Sequence, residues 1–281
     1  MKRTCLTFLA IPILIAISSN SQAQILKNIG KKIEQKAETI LDKTVETTTS
    51  STTQKQRSTP TSTSNSSQRS PFKELNKMEY DYTRGSETIF IDDFAQDNTG
   101  EMAKRWTSNG RGAVNTVDIA DGHWLELFNA NTYKIKELVR IPENFTLEFD
   151  LLSTSDTKHE FEVNFGFDYE KGVSKHHYLA YQNPINIKAS YRFNVFEFAS
   201  KEVQPAKRSE VKANMSYFVN DIMKVKIMVT GEKMCTYIND YKILDTEMVD
   251  PMTKKYFYVA VNSDDTTAKF YISNLRIDKI L

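Results

Sequence analysis

The sequence predicts an all-β domain folded as a two-sheet antiparallel sandwich, preceded by a signal peptide, a short helix and a disordered Ser/Thr-rich linker. Three observations carry this expectation. From about residue 86 onward apolar residues recur at every second position. The alternating runs are short and separated by turn residues, and no long helical pattern lies between them.

The N-terminal elements justify themselves by composition. Lys2 and Arg3 form a positive n-region, Leu6 to Ile17 an apolar h-region, and Ser21-Gln22-Ala23 a small-residue cleavage pattern. The twelve residues of that h-region are too few for a membrane span, which needs about 20. Residues 1–23 therefore read as a signal peptide, with a mature chain starting near Gln24. Export to the periplasm, the outer membrane or the extracellular space is expected. A lipoprotein signal needs a cysteine at the cleavage point, whereas Cys5 lies in the n-region, so no lipid anchor is expected.

Residues 24–46 read as an amphipathic helix. Ile25, Leu26, Ile29, Ile33, Ala37, Ile40, Leu41 and Val45 recur at helical spacing, with five lysines nearly balanced by four acids. Packing on a neighbour or self-association fits this balance better than a membrane surface does. Residues 47–70 follow as a linker in which sixteen of 24 positions are Ser or Thr and none is acidic, aliphatic or aromatic. Nothing there offsets the entropy of ordering, so disorder is expected. Residues 71–85 lead into the domain, which occupies residues 86–281.

Within the domain, Phe145, Leu147, Phe149 and Leu151 share one face of a strand, with Thr146, Glu148 and Asp150 opposite. Phe161, Val163, Phe165 and Phe167 do the same, as do Met223, Val225, Ile227 and Val229 up to Gly231. Asn239-Asp240 predicts a hairpin turn into Tyr241–Leu244. Tyr256–Asn262 and Lys269–Asp278 close the chain. In the last of these, Phe270 and Ile272 share one parity and Leu275 and Ile277 the other, which predicts a bulge near Ser273 and Asn274. One apolar and one polar face per strand fits two packed sheets. A transmembrane barrel would put apolar residues outward and polar ones in the lumen, and the Lys and Glu of the second faces here suit a sandwich instead.

Beyond Cys5, Cys235 is the single cysteine, so no internal disulfide forms in the mature chain and the core carries the stability. A chain with 40% hydrophobic and 11% aromatic residues can build such a core. Cys235 itself lies in an apolar run and reads as a buried small hydrophobe. The formal net charge of +1 offers no basic stripe, so nucleic acid is not an expected partner. No segment after the signal is apolar enough to span a bilayer.

A run from Ile91-Asp-Asp-Phe94 to Lys104-Arg-Trp106, followed by Trp124-Leu-Glu-Leu-Phe128, Ile141-Pro-Glu-Asn-Phe145 and the closing Phe270-Tyr-Ile-Ser-Asn-Leu-Arg-Ile277, carries a resemblance. It resembles the concanavalin A-like (laminin-G-type) jelly-roll domain found ahead of OmpA-type modules in Gram-negative envelope proteins. The likeness covers roughly residues 86–281 and implies a jelly-roll sandwich and an envelope location. The OmpA-type module that follows in that family has no counterpart before Leu281, so peptidoglycan anchoring is not implied.

Candidate functional residues fall into three groups. Glu148 and Asp150 invite a hydrolase test, because concanavalin A-like glycoside hydrolases carry Glu-x-Asp-x-x-Glu on a central strand. Here Ser153 and Thr154 occupy the place of the third carboxylate, and the remaining pair is what the wet face of any strand shows. Asp92, Asp93 and Asp97 beside the first strand, with Asn98 and with Asp278 on the last, are candidate calcium ligands if those strands are neighbours. A polar turn plus a negative strand end explains the same residues. Tyr178, Tyr181 and Tyr191, with His176, lie in a Tyr- and His-rich stretch and are candidate ligand-binding groups on an exposed sheet face; cross-strand aromatic pairs leave the same trace. Trp106 and Trp124 read as core residues or as a sugar-stacking platform. His123, His159, His176 and His177 lack the spacing of a metal pair on one face. The expected function is a non-catalytic binding module for a glycan or an envelope protein surface. The alternatives are a glycoside hydrolase, possibly degenerate, and a structural envelope component.

Overall fold

The computed structural model describes residues 70–72, 79–156, 160–173 and 183–281. The stretches expected to form a signal peptide and a helix, and all but the last residue of the expected linker, lie outside these. Among the described residues fifteen strands follow one another with almost no helix. They are β1 (Glu87–Asp92), β2 (Trp106–Ser108), β3 (Gly112–Val117), β4 (Ala120–Leu127) and β5 (Thr132–Ile135). Then come β6 (Phe145–Thr154), β7 (Phe161–Asp168), β8 (Ile185–Ser190), β9 (Val195–Ser200) and β10 (Lys207–Lys212). The chain closes with β11 (Asp221–Thr230), β12 (Lys233–Ile238), β13 (Tyr241–Glu247), β14 (Tyr256–Ser263) and β15 (Lys269–Lys279). No helix among the described residues is long and apolar enough to cross a membrane.

The strands form two antiparallel sheets. The first has eight strands in the order β13-β12-β11-β6-β15-β4-β3, with β1 also paired to β15; the second has seven in the order β10-β9-β8-β7-β14-β5-β2. The alternating patterns explain the layering. Phe145, Leu147, Phe149 and Leu151 of β6 point inward from the first sheet, and Phe161, Val163, Phe165 and Phe167 of β7 meet them from the second, all 2% exposed or less. Edge-to-face rings lock the two layers, with Phe145–Phe167 centroids 5.4 Å and Phe149–Phe165 centroids 5.3 Å apart. The expected bulge in β15 lies between Ser273 and Arg276, with Asn274 at φ 54°, and it is what lets Ile272 and Leu275 both face the core. Asn239 and Asp240, at φ 45° and 67°, make the expected hairpin turn.

The lead-in does more than connect. Phe72 is buried and packs on Phe196, Phe218 and Tyr241, while the Asn214 amide donates to the Pro71 carbonyl at 2.8 Å. Residues 80–86 then cross the outward face of the eight-stranded sheet. Lys242 Nζ and the Tyr237 hydroxyl donate to Asp81 at 2.7 and 2.6 Å. The Lys226 ammonium donates to Tyr80 at 2.7 Å and lies 5.1 and 5.4 Å from the Tyr80 and Tyr82 ring centroids. Tyr82 and Arg84 converge on Glu148, and the Ser86 amide donates to the Lys279 carbonyl. The strap thus touches β13, β12, β11, β6 and β15 in turn.

At Gly85 the strap lies so close that a Cβ would sit 2.5 Å from the Lys279 carbonyl oxygen and 2.9 Å from Asp278 Cβ. We therefore expect Gly85→Val to lift the strap, costing about 1–3 kcal/mol and raising amide exchange across residues 80–86. Unchanged protection there would show that the strap tolerates a side chain and is not held by this close approach.

Candidate functional site

The two outward faces differ. On the eight-stranded sheet, Glu148 accepts from Tyr82 Oη at 2.5 Å and from Arg84 Nε and Nη2 at 2.7 and 2.5 Å. Burial raises its pKa, but the Arg84 and Tyr82 bonds outweigh burial and hold the carboxyl below its usual range. Asp150 moves the other way: burial raises it, against an Asn274 Nδ2 bond of 2.8 Å. The pair considered for hydrolysis is therefore one engaged carboxylate and one desolvated carboxyl, about 7 Å apart along a strand. Cys235 lies on this same face, buried, with its thiol pKa raised by burial. Trp124 packs here with Leu152 and Tyr271 in a small cluster of its own.

The outward face of the seven-stranded sheet is built from residues that alternate with the core. Asn164 and Asp168 alternate with Val163, Phe165 and Phe167 on β7; Asn186, Lys188 and Ser190 alternate with Ile185, Ile187 and Ala189 on β8. Glu197 and Ala199 of β9 and Arg208 and Glu210 of β10 extend it to the sheet edge. Lys188 Nζ pairs with Glu197 at 2.7 Å and approaches Glu162 at 3.6 Å. Asn186, Lys188, Glu197, Arg208 and Glu210 line a surface groove of about 450 Å³. Amide, carboxylate, ammonium and guanidinium groups side by side supply donors and acceptors in the mixture that hydroxyl-rich ligands require.

Two features set the depth of this face. Gly166, at φ 150°, leaves a flat spot opposite Tyr258, and a Cβ there would meet the Ile185 carbonyl oxygen at 2.2 Å. The Tyr258 hydroxyl donates to Asn186 Oδ1 at 2.6 Å, and burial pushes the phenol pKa far up. Beside it Lys134, 1% exposed, donates to Asp168 Oδ2 at 2.5 Å and to the carbonyls of Glu170 and Gly172 at 2.7 and 2.8 Å. This ammonium fixes the chain where it leaves β7.

Of the ligand-binding candidates, Tyr178, Tyr181 and His176 fall in 174–182, outside the described residues. Tyr191 is placed differently from the expectation of an exposed ring. It is 3% exposed, stacks on Phe161 with centroids 4.3 Å apart, and accepts from Ser153 Oγ at 3.3 Å. Its parity explains this, since Ile185, Ile187, Ala189 and Tyr191 all point inward.

The calcium grouping is also corrected. β1 and β15 are neighbours, but the register pairs Thr88 with Asp278 and Asp92 with Leu275, leaving the two acids three to four residues apart along the strands, about 10–13 Å. Asp92 is buried and accepts from Trp106 Nε1 at 3.0 Å, Asp93 accepts from the Ala95 amide, and Asp97 from the Lys104 amide. These oxygens shape turns, and no group of three or more His, Cys, Asp or Glu among the described residues is arranged to hold a metal ion. Trp106 is a core residue, as is Phe94 beside it.

Neither a protein-family model nor a curated protein matches the sequence. Solved structures do match in shape. The carbohydrate recognition domain of Emp47p superposes with a TM-score of 0.52 at 8% identity, covering 71% of this chain and all of that domain. The sandwich shares the fold of that domain. The VIP36 exoplasmic/lumenal domain, solved in a Ca²⁺/Man3GlcNAc-bound form, is similar at a TM-score of 0.48 and 10% identity, over 69% of this chain and 89% of that one. A sialidase is similar over 70% of this chain at 13% identity and a TM-score of 0.47, and the match spans only 19% of the sialidase.

Sequence reasoning missed Asn186, Lys188, Arg208 and Lys134. The first two carried a usable signal, the strict alternation with Ile185, Ile187 and Ala189. Lys134 carried none, because all four residues of β5 are buried and its partners come from another strand.

Proposed function

We propose that this chain is a non-catalytic glycan-binding module, exported to the bacterial envelope, that receives its ligand on the outward face of the seven-stranded sheet. One observation carries the reading: this face presents a groove of amide and charged side chains, whereas in the comparable recess of the opposite face Glu148 and Lys226 are already engaged by Tyr82, Arg84 and Tyr80 of the strap. The fold shared with the Emp47p carbohydrate recognition domain supports the same reading. A binding role asks for convergent donors and acceptors on a rigid sheet, and the groove of Asn186, Lys188, Glu197 and Arg208 supplies them.

Glycan-array binding of the full chain, followed by titration calorimetry, tests this. Arg208→Ala and Lys188→Ala are each expected to weaken a bound glycan about tenfold, the scale of losing a hydrogen bond to a charged group. Affinity indifferent to both would remove the ligand from this face. The double change Glu148→Gln, Asp150→Asn is expected to leave glycan affinity intact, and no polysaccharide is expected to be cleaved above background. Cleavage abolished by either single change would overturn the non-catalytic reading.

A further inference from the structure

A second recess opens where β14 begins. It lies between the β5–β6 connection and the β13–β14 connection, holds about 450 Å³, and is lined by Leu138, Arg140, Ile141, Met252, Lys254 and Tyr256 among others. Its lining contains cations and no acidic side chain. Lys255, which also borders it, is buried and compensated internally: its ammonium donates to the Asp250 and Thr253 carbonyls and to Thr253 Oγ1, with Glu202 at 3.7 Å. Arg140 and Lys254 are exposed and enter no salt bridge among the described residues. Nearby Glu137 is engaged by Arg105, and Glu143 stands outside the lining. The recess therefore holds surplus positive charge next to apolar surface, with Leu138 55% and Met252 87% exposed.

Its position matters as much as its charge. Tyr256 pairs with Asp168 and has the same parity as Tyr258, so its ring belongs to the outward face of the seven-stranded sheet. Extending the β5–β14 register by two residues sets exposed Lys136 beside it. From β14 to β9 is three strand spacings, about 14 Å. A short oligosaccharide lying across the strands spans that distance, with one end on the groove and the other in the recess.

We propose that the recess is an acid-reading subsite: Arg140 and Lys254 bind the carboxylate or sulfate of an acidic saccharide, whose ring packs against Tyr256, Leu138 and Met252. The proposal rests on the glycan-binding reading and specifies its ligand class. A guanidinium matches a carboxylate or sulfate with two parallel bonds, and an ammonium adds a point charge. A neutral sugar can take single hydrogen bonds from these donors but no ion pair and no paired guanidinium bonds. A lipid surface fits less well, because the cations line a recess rather than ring a flat rim.

The test uses the full chain against polygalacturonate (carboxylate), heparin (sulfate), neutral dextran and laminarin, and phosphatidylcholine vesicles with or without phosphatidylglycerol. We expect polygalacturonate or heparin to bind more tightly than the neutral polymers, and Arg140→Ala, Lys254→Ala together to weaken that binding at least tenfold. The exposed Lys224→Ala and Lys269→Ala changes, on strands of the other sheet, serve as charge controls and should leave it unchanged. Equal losses in these controls would reduce the effect to general charge and overturn the subsite. Neutral-glycan binding that depends on Arg208 and ignores Arg140 and Lys254 would also overturn it while leaving the module reading intact. Binding to anionic vesicles but to no polymer would replace the saccharide with lipid, and binding to none of the probes would overturn the module reading as well.

Discussion

Phe165→Ala is expected to lower unfolding free energy by about 3–5 kcal/mol. The ring is fully buried at the centre of β7, edge-on to Phe149 across the interlayer space, and neighbours in both sheets are held by their own hydrogen-bond ladders. They cannot collapse into the space the ring leaves, so the cavity term adds to the lost transfer energy. Glu162→Ala, three residues earlier on the outward face, removes a side chain 23% exposed with only a 3.6 Å contact to Lys188 and a weak Ser190 bond. Its effect is expected within about 0.5 kcal/mol. Urea denaturation of the two variants measures the contrast, and comparable losses would mean that the two faces of β7 are not buried unequally.

That contrast rests on the part of the fold legible in the sequence. Where a strand is long and one side is wet, as in β6, β7 and β11, the period of two marks core and surface directly. The slip of parity between Ile272 and Leu275 likewise located a bulge before any pairing was known. Strands of three or four residues such as β2 and β5 are too short to show a period. The strap was illegible for another reason: Tyr82 and Asp81 meet partners 66 and 161 residues away. Nothing local in Tyr80-Asp-Tyr-Thr-Arg84 says where those partners are. The calcium grouping failed on register, which adjacency of strands alone does not determine. Tyr191 is buried because it shares the parity of Ile185 and Ile187, a signal that the aromatic residues around it in the sequence obscure.

Lys134→Met is the second change expected to matter greatly. The substitution keeps most of the buried stem but leaves the Asp168 carboxylate and the Glu170 and Gly172 carbonyls without their donor. Removing one member of a buried ion pair costs about 3–5 kcal/mol. Because the Asp168 side chain keeps 18% of its exposure, water offsets part of the penalty and about 3 kcal/mol is expected. Glycan affinity should fall as well, although Lys134 itself is inaccessible, because the segment leaving β7 loses its fixed start. Denaturation with amide exchange at residues 169–173 checks the first part, and glycan titration of the variant the second. A loss under about 1 kcal/mol with unchanged exchange would show that the three bonds are dispensable.

The strap also bears on where this domain can be divided. Strand periodicity begins at Glu87, and a boundary drawn there looks natural from the sequence. A polypeptide starting at that point would lack Phe72, leaving a gap between Phe196, Phe218 and Tyr241 at an open end of the sandwich. It would also uncover the Tyr237 ring, strip Glu148 of Tyr82 and Arg84, and leave Lys242 and Lys226 with Asp245 and Asp240 as their remaining partners. An apolar, mispaired sheet face of that kind invites self-association rather than folding. The smallest autonomous unit therefore begins no later than Ser70, and residues 70–72 and 80–86, ahead of the first strand, are as much part of the folded body as the strands themselves.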